Sequence, residues 1–254
     1  MSATRYDDIG VLYSRHRRAD PRIADLVASA IGHAQSIVDV GAGTGSYEPE
    51  NRKVVAVEPS EVMIRQRSRK SGPIVRAVAE ALPFSDKSFD VAMTILSVQH
   101  WSDPRRGLAE LCRVAHRRVV LTFEPAIHNG FWLFAEYLPR VQILLGQQST
   151  PSVDEVAELI DASVVEVVPI PHDCLDGFGW AYWRRPHAYL DPEIRACISA
   201  LALPKPADLQ AGLLSLQEDL RTGAWEERHG DLLTREAIDG GFRIVIGGPD
   251  PAIT

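Results

Sequence analysis

The chain has 254 residues, with 34 acidic against 27 basic side chains and a formal charge of −7. That balance argues against a dedicated nucleic-acid binder, which concentrates cationic charge. Hydrophobic residues at 45% and charged residues at 24% are ordinary globular usage and exclude a disordered chain.

The elements can be read in chain order. Asp20-Pro21 supplies an N-cap and a first-turn proline, after which Ile23, Leu26, Val27, Ala30 and Ile31 share one helical face. Ser36–Val40, Val54–Val57, Phe89–Leu96 and Val119–Phe123 are near-continuous apolar runs, as expected of strands buried on both faces of a parallel sheet. Asp103-Pro104 opens a second helix that turns Leu108, Leu111, Cys112 and Ala115 inward. This alternation predicts βαβ units, hence a doubly wound, mostly parallel α/β sheet. Ser152 and Glu155 form a capping box ahead of a strand-like Val164–Val168, and Phe242–Ile246 reads as a further strand.

Pro125–Thr150 and Ile170–Glu236 break the alternation with Trp, Pro and helical periodicity, and predict a helical cap. The expected organisation is therefore a core with an N-terminal lid over residues 1–124. Residues 125–150 and 170–236 form the cap and substrate region, and 151–169 with 237–254 complete the sheet. No apolar run approaches the roughly 20 residues of a membrane span, and Met1–Asp20 is too polar for a signal peptide. Three dispersed cysteines, Cys112, Cys174 and Cys197, read as reduced thiols of a cytoplasmic protein.

The chemistry is concentrated in DVGAGTG, Asp39–Gly45, directly after the first predicted strand. Alternate glycines permit a tight turn and close approach of a ligand to bare backbone. A helix starting after Gly45 would aim free N–H groups at an anion. Thirteen positions on, Glu58 ends the second strand, where a carboxylate accepts hydrogen bonds from both ribose hydroxyls of a nucleoside. The spacing is GxGxG, whereas a dinucleotide site has GxGxxG with pyrophosphate on the helix N-terminus.

This pattern resembles motif I of class I S-adenosylmethionine (SAM)-dependent methyltransferases. VVAVEPS (Val54–Ser60), AEALPFSDKSFD (Ala79–Asp90) and LSVQHWSDP (Leu96–Pro104) follow in the order seen in the ubiquinone-biosynthesis-like, small-molecule branch. The resemblance spans Tyr6–Glu124, about half the chain. It implies a Rossmann-like, seven-stranded sheet, SAM as cofactor and a small-molecule acceptor, with neither nucleic acid nor membrane as partner. Position by position, it implies that Asp39, Gly41, Gly43 and Gly45 contact the methionine part. Glu58 would hold the ribose, Pro59 and Ser60 one side of the adenine, and Ala79 and Glu80 the other. Leu96 and Ser97 would lie near the methionyl amine, with Tyr13 and Arg17 closing over the cofactor and Arg17 reaching its carboxylate. Two departures stand out: Val78 replaces the acid that commonly meets the adenine amino group, and the crossover after Gly45 is short and contains Pro49, predicting a helix of little more than a turn.

Methyl transfer from a sulfonium needs in-line positioning and exclusion of water, plus a base when the nucleophile arrives protonated. His100 and Glu124, after the fourth and fifth strands, stand where such a base belongs. Trp101, His128, His172 and Trp183 are candidates for contact with the acceptor, which the aromatic content of the cap marks as apolar or aromatic. His172-Asp173-Cys174 cannot readily chelate, because neighbours on a strand point to opposite faces, so no metal is expected. Trp180, Tyr182, Trp183, Arg184 and Arg185 read as a packed cap helix rather than a nucleic-acid surface. The competing readings are a non-catalytic SAM sensor or assembly protein, and an NAD(P)-dependent oxidoreductase.

Overall fold

The β-branched runs become strands β1 (Ser36–Val40), β2 (Lys53–Val57), β3 (Ile74–Val75), β4 (Phe89–Ile95), β5 (Ala115–Phe123), β6 (Ala162–Val167) and β9 (Phe242–Gly247). The computed structural model describes residues 16–68, 72–147 and 149–250. In it these strands form one sheet in the order β3-β2-β1-β4-β5-β9-β6. β1 through β5 pair in parallel, and β9 runs antiparallel to both β5 and β6. β7 (Ile170–Pro171) and β8 (Ala237–Ile238) form a separate two-stranded ribbon.

The central strands β1, β4 and β5 are covered on both faces, which is why their sequences lack polar alternation. β6 is equally apolar but lies at the sheet edge, and Val164, Val165 and Val167 stay partly exposed.

Helix α1 (Pro21–Ile31) starts where expected, with the Asp20 carboxylate accepting from the Arg22 N–H, and buries Ile23, Val27, Ala30 and Ile31. After α2 (Glu61–Arg65), α3 (Pro104–Val114) repeats the design with Asp103 as cap and Leu108, Leu111 and Val114 inward. α4 (Pro125–Asn129) and α5 (Pro139–Gly146) follow β5, and α6 (Val153–Leu159) carries the complete Ser152–Glu155 capping box.

One expectation is not met: residues 41–52, between β1 and β2, contain only turns. The short crossover and Pro49 leave no room for a helix, so none starts after Gly45.

Past β7 the chain builds α7 (Pro192–Ala196), α8 (Ser199–Ala202), the long α9 (Pro206–Thr222) and α10 (Ala224–His229). This segment packs on the one after β5 through aromatic rings. Phe131 stacks on Trp180 at 4.3 Å, and Trp132 meets Tyr189 at 5.7 Å and Trp225 at 5.4 Å. These side chains belong to the same apolar cluster as Ile37, Val91 and Val119 of the sheet, so the cap is anchored by burial rather than hinged on a linker. The sheet's strand order reverses between β1 and β4, which opens a crevice at their C-terminal ends.

Candidate active site

The crevice is shaped first by the turn after β1. The N–H groups of Gly41 and Ala42 both donate to the carbonyl of Val57, at 2.9 and 3.0 Å, tying the turn to the tip of β2. Gly41 has φ +71°, and a Cβ there would stand 1.9 Å from Ser97 Oγ, so only glycine fits. Glu58 follows β2 and is buried. Its Oε2 accepts from the Gly43 N–H at 2.8 Å and its Oε1 from the Ser60 N–H at 2.9 Å. These backbone donors offset the cost of burying the charge and fix the carboxylate at the cleft wall.

Beneath the turn lies a buried charge cluster that takes the place of the missing helix. Arg67 Nη2 donates to both oxygens of Glu48, at 2.7 and 2.8 Å, with side-chain exposures of only 5% and 8%. Arg67 Nη1 reaches the Gly43 carbonyl at 3.4 Å. Asp39 lies alongside; burial, then the Glu48 carboxylate, hold its carboxyl well above the usual range despite Arg67. Among the described residues, Asp39 Oδ1 has no hydrogen-bond partner. Gly45 belongs to this cluster rather than to the cleft lining. At φ +82°, its Cβ would fall 2.8 Å from Arg67 Nη1 and 3.1 Å from the Glu48 carboxyl.

The cleft encloses about 960 Å³ out to its mouth, and Asp39, Gly41, Gly43, Glu58, Pro59 and Ser60 line one part of it. Met63, Val78 and Ala79 supply an apolar wall. At another part stand Arg17, Tyr47 and Asp176. Arg17 Nε donates to the buried Asp176 at 2.6 Å, and the Tyr47 hydroxyl to the same carboxylate at 3.0 Å. Burial and the adjacent Asp176 push the Tyr47 phenol far above its ordinary value, so it remains a donor.

Leu96, at the end of β4, is held at φ +50°, a strained conformation for a leucine; its N–H still donates to the Leu121 carbonyl at 2.8 Å. Ser97 Oγ accepts from the Trp101 indole at 3.1 Å.

A second chamber of about 680 Å³ adjoins the cleft, and Arg17, Leu96 and His100 line both. Its walls are Phe123, Phe178 and Phe242 with Leu145, Ile198 and Leu203. His128 stacks on Phe123 at 4.2 Å. Burial pushes this imidazole down to about 4, keeping it neutral near pH 7, and among the described residues its Nδ1 has no partner. Gln99 bridges from the Leu96 carbonyl at 2.7 Å to His100 Nε2 at 3.2 Å.

The structure sorts the sequence-based candidates. Arg17, Asp39, Gly41, Gly43, Glu58, Pro59, Ser60, Ala79, Leu96, Ser97 and His100 gather at the cleft, and His128 at the chamber. Trp101 is a cleft residue, not a chamber residue. Glu80 reaches the cleft, but its Oε1 is committed to the Ser102 and Asp103 N–H groups and the Ser102 hydroxyl, clamping the loop that carries Trp101.

Glu124 lines neither cavity. It caps α4 through Ala126 at 3.5 Å and α6 through Val153 at 3.1 Å, because helix N-termini on either side present unsatisfied N–H groups. His172 is a surface partner of Glu236 at 3.3 Å, and Asp173 pairs with Arg22 at 2.7 Å. Trp183 is fully buried, its indole donating to the Ile170 and Pro171 carbonyls, so it serves the core. Tyr13 lies outside the described residues.

Tyr47, Asp176 and the aromatic chamber walls were missed. Each is an isolated residue whose role depends on a partner distant in sequence, so no local pattern marks them.

The residues present fit the cofactor suggested by the motifs. A fixed carboxylate in the cleft lining suits a diol, an apolar wall suits a base, and paired opposite charges suit a zwitterionic amino-acid end.

Comparison with known proteins agrees. Residues 38–123 match the family described as "Methyltransferase domain". Demethylmenaquinone methyltransferase of Renibacterium salmoninarum is 29% identical over 58% of this chain and 70% of its own length. The chloroplastic 2-methyl-6-phytyl-1,4-hydroquinone methyltransferase 2 of Oryza sativa subsp. japonica is 33% identical, over 38% of this chain and 31% of its own. A solved structure from Anabaena variabilis, assigned as a methyltransferase of an antibiotic-biosynthesis pathway, superposes with a TM-score of 0.84. It is 30% identical, over 92% of this chain and 99% of its own. These findings set aside the oxidoreductase and non-catalytic alternatives. With the glycine turn, the Glu58 carboxylate and this likeness along almost the whole chain, the protein belongs to the class I SAM-dependent methyltransferases.

Proposed function

We propose that the protein methylates a small hydroxylated aromatic acceptor of the hydroquinone type, held in the chamber between Phe123, Phe178 and Phe242. The observation that carries this reading is that Arg17, Leu96 and His100 line both the cofactor cleft and the aromatic chamber, which supports a donor and an acceptor meeting between them. A chamber with apolar walls and a few convergent polar groups has the character of a small-ligand site. The names of the two quinone-directed relatives support the same acceptor class.

When bound, SAM supplies an electrophilic methyl group whose departure leaves a neutral thioether, so the protein's task is alignment. Glu58 accepts from the ribose hydroxyls, while Met63, Val78 and Ala79 cover the adenine. Arg17 and Asp176 meet the carboxylate and the amine of the amino-acid end. The Phe123, Phe178 and Phe242 rings orient the acceptor and exclude water. His100, at the opening, accepts the hydroxyl proton at Nε2 as the acceptor's hydroxyl displaces the Gln99 amide from that lone pair. His128, kept neutral by burial, orients a second polar group of the ring through its open Nδ1.

The acceptor is a small molecule rather than nucleic acid, in keeping with the charge of −7. Three free cysteines support a cytoplasmic location, and among the described residues no helix is long and apolar enough to cross a membrane.

Calorimetry with SAM and its demethylated product, followed by transfer of labelled methyl to a panel of hydroquinones, catechols, amines and carboxylic acids, tests the reading. Turnover confined to hydroxylated rings is expected. Turnover on amines or carboxylic acids with none on the phenolic compounds overturns it.

A further inference from the structure

Gln99 stands on the acceptor side of the site. It lines the aromatic chamber but not the cofactor cleft, while its neighbour His100 lines both. The amide Nε2 lies 2.7 Å from the Leu96 carbonyl and 3.2 Å from His100 Nε2. A carbonyl only accepts, so the end of the amide that faces Leu96 must be its NH₂ group. Gln99 Oε1 has no hydrogen-bond partner among the described residues, so nothing there pulls the amide the other way round.

The second N–H of that group is left for His100. An amide nitrogen has no acceptor capacity, so His100 Nε2 must meet it with a lone pair and not with a hydrogen. The neutral imidazole therefore carries its proton on Nδ1, and Nε2 is the nitrogen that can take one up. Leu96, whose carbonyl anchors the amide, is held at φ +50° at the end of β4, with its N–H bonded to the Leu121 carbonyl. The anchor is thus part of the sheet, and the single 3₁₀ turn Val98–His100 carries both side chains beside it.

We infer that Gln99 and His100 form a clamp for one protonated hydroxyl of the acceptor, and that Gln99 sets the imidazole tautomer this clamp needs. The inference rests on the acceptor reading above and deepens it, from a ring in a chamber to the group the ring must present. An oxygen about 2.8 Å from each nitrogen closes a triangle on their 3.2 Å separation. Placed there, a hydroxyl accepts from the amide N–H and donates to the imidazole lone pair, so both groups stay satisfied as their own contact opens. An ether or a carboxylate accepts from Gln99 but has no hydrogen for His100, and an ammonium has no lone pair for Gln99. The clamp therefore holds an unmethylated hydroxyl better than its own methyl ether, which favours exchange of product for substrate. A plain strut between loop and sheet would need the Leu96 bond alone and would be indifferent to the tautomer of His100.

The first test needs no turnover. Nitrogen NMR spectra of protein labelled in its histidine imidazoles report which ring nitrogen is protonated, in mildly alkaline buffer where imidazoles are neutral. The His100 signals are assigned by their loss in His100→Asn. Wild type is expected to show Nδ1–H. Gln99→Glu presents oxygens in place of the amide N–H and is expected to move the proton to Nε2, while Gln99→Leu presents nothing and is expected to remove the bias. SAM affinity and the urea midpoint check that cleft and fold survive each change. Nε2–H in the wild type, or one tautomer shared by wild type and Gln99→Glu, overturns the inference; should a variant fail to fold, the wild-type spectrum decides.

Binding separates the clamp from the acceptor reading. Para-cresol and its methyl ether are titrated by calorimetry with the demethylated product of SAM present. About ten-fold tighter binding of the cresol is expected, and Gln99→Leu should cut that preference to about two-fold or less. Equal affinities in the wild type, or a preference unchanged in Gln99→Leu, refute the clamp even if hydroquinones are methylated. A tautomer set by Gln99 together with that preference sustains it even if no hydroquinone is.

Discussion

Replacing Arg67 by methionine tests whether a buried ion pair substitutes for the helix absent between β1 and β2. The guanidinium is 5% exposed and holds the 8% exposed Glu48 carboxylate with two bonds of 2.7 and 2.8 Å. Methionine preserves much of the aliphatic volume but leaves Glu48 buried beside Asp39 with no cation. Breaking a buried pair from one side costs about 3–5 kcal/mol, a large part of the roughly 5–15 kcal/mol that holds a domain folded. The double variant Arg67→Met, Glu48→Leu removes both charges and is expected to recover most of that loss, since an apolar replacement of a whole buried pair is often neutral.

Urea unfolding followed by tryptophan fluorescence measures both effects as shifts in midpoint at constant m. SAM affinity should fall with the single variant as well, because Arg67 Nη1 also supports the Gly43 carbonyl. A loss below about 1 kcal/mol for Arg67→Met, or a double variant no better than the single, refutes the reasoning.

Glu58→Ala removes the carboxylate that orders the glycine turn, and SAM binding measured by calorimetry should weaken by about 1–3 kcal/mol; an unchanged Kd defeats the ribose assignment. His100→Asn should lower kcat by about 10²–10⁴-fold with little change in SAM Kd, and a variant as fast as wild type excludes a proton-transfer role. The His128 imidazole is held near 4 in the fold against 6.5 free, so the unfolded chain binds the extra proton between those values. Stability is therefore complete above pH 6.5 and falls by about 3 kcal/mol on descending to pH 4. His128→Leu should flatten that part of the pH–stability profile, and an unaltered profile would place the titration elsewhere.

What was legible in the chain is what depends on near neighbours. Asp20-Pro21, Asp103-Pro104 and the Ser152–Glu155 box place helix starts, because a cap satisfies N–H groups only two or three residues away. Buried strands follow from unbroken β-branched runs, and Gly41, Gly43 and Glu58 from the demands of one turn and one strand tip. The same local logic misplaced other residues. Glu124 stands at a strand end as a base would, yet it caps α4 and α6. Trp183, read as a contact for the acceptor, is core.

Only the folded chain decided that Gly45 makes room for Arg67 and Glu48, that Asp176 holds Arg17 and Tyr47, and that three phenylalanines from β5, the cap and β9 form one chamber. Arg17 and Asp176 are 159 positions apart. Their pairing is imposed by the packing of the cap on the sheet, because a charge or ring carries no mark of the distant partner it will meet. The glycine turn and the Glu58 carboxylate were thus determined by the sequence alone, through strand-end turns that are local by construction. The Arg17–Asp176 end of the cleft and the aromatic chamber were decided by tertiary structure, since their walls converge only once the apolar faces of sheet and cap are driven together out of water.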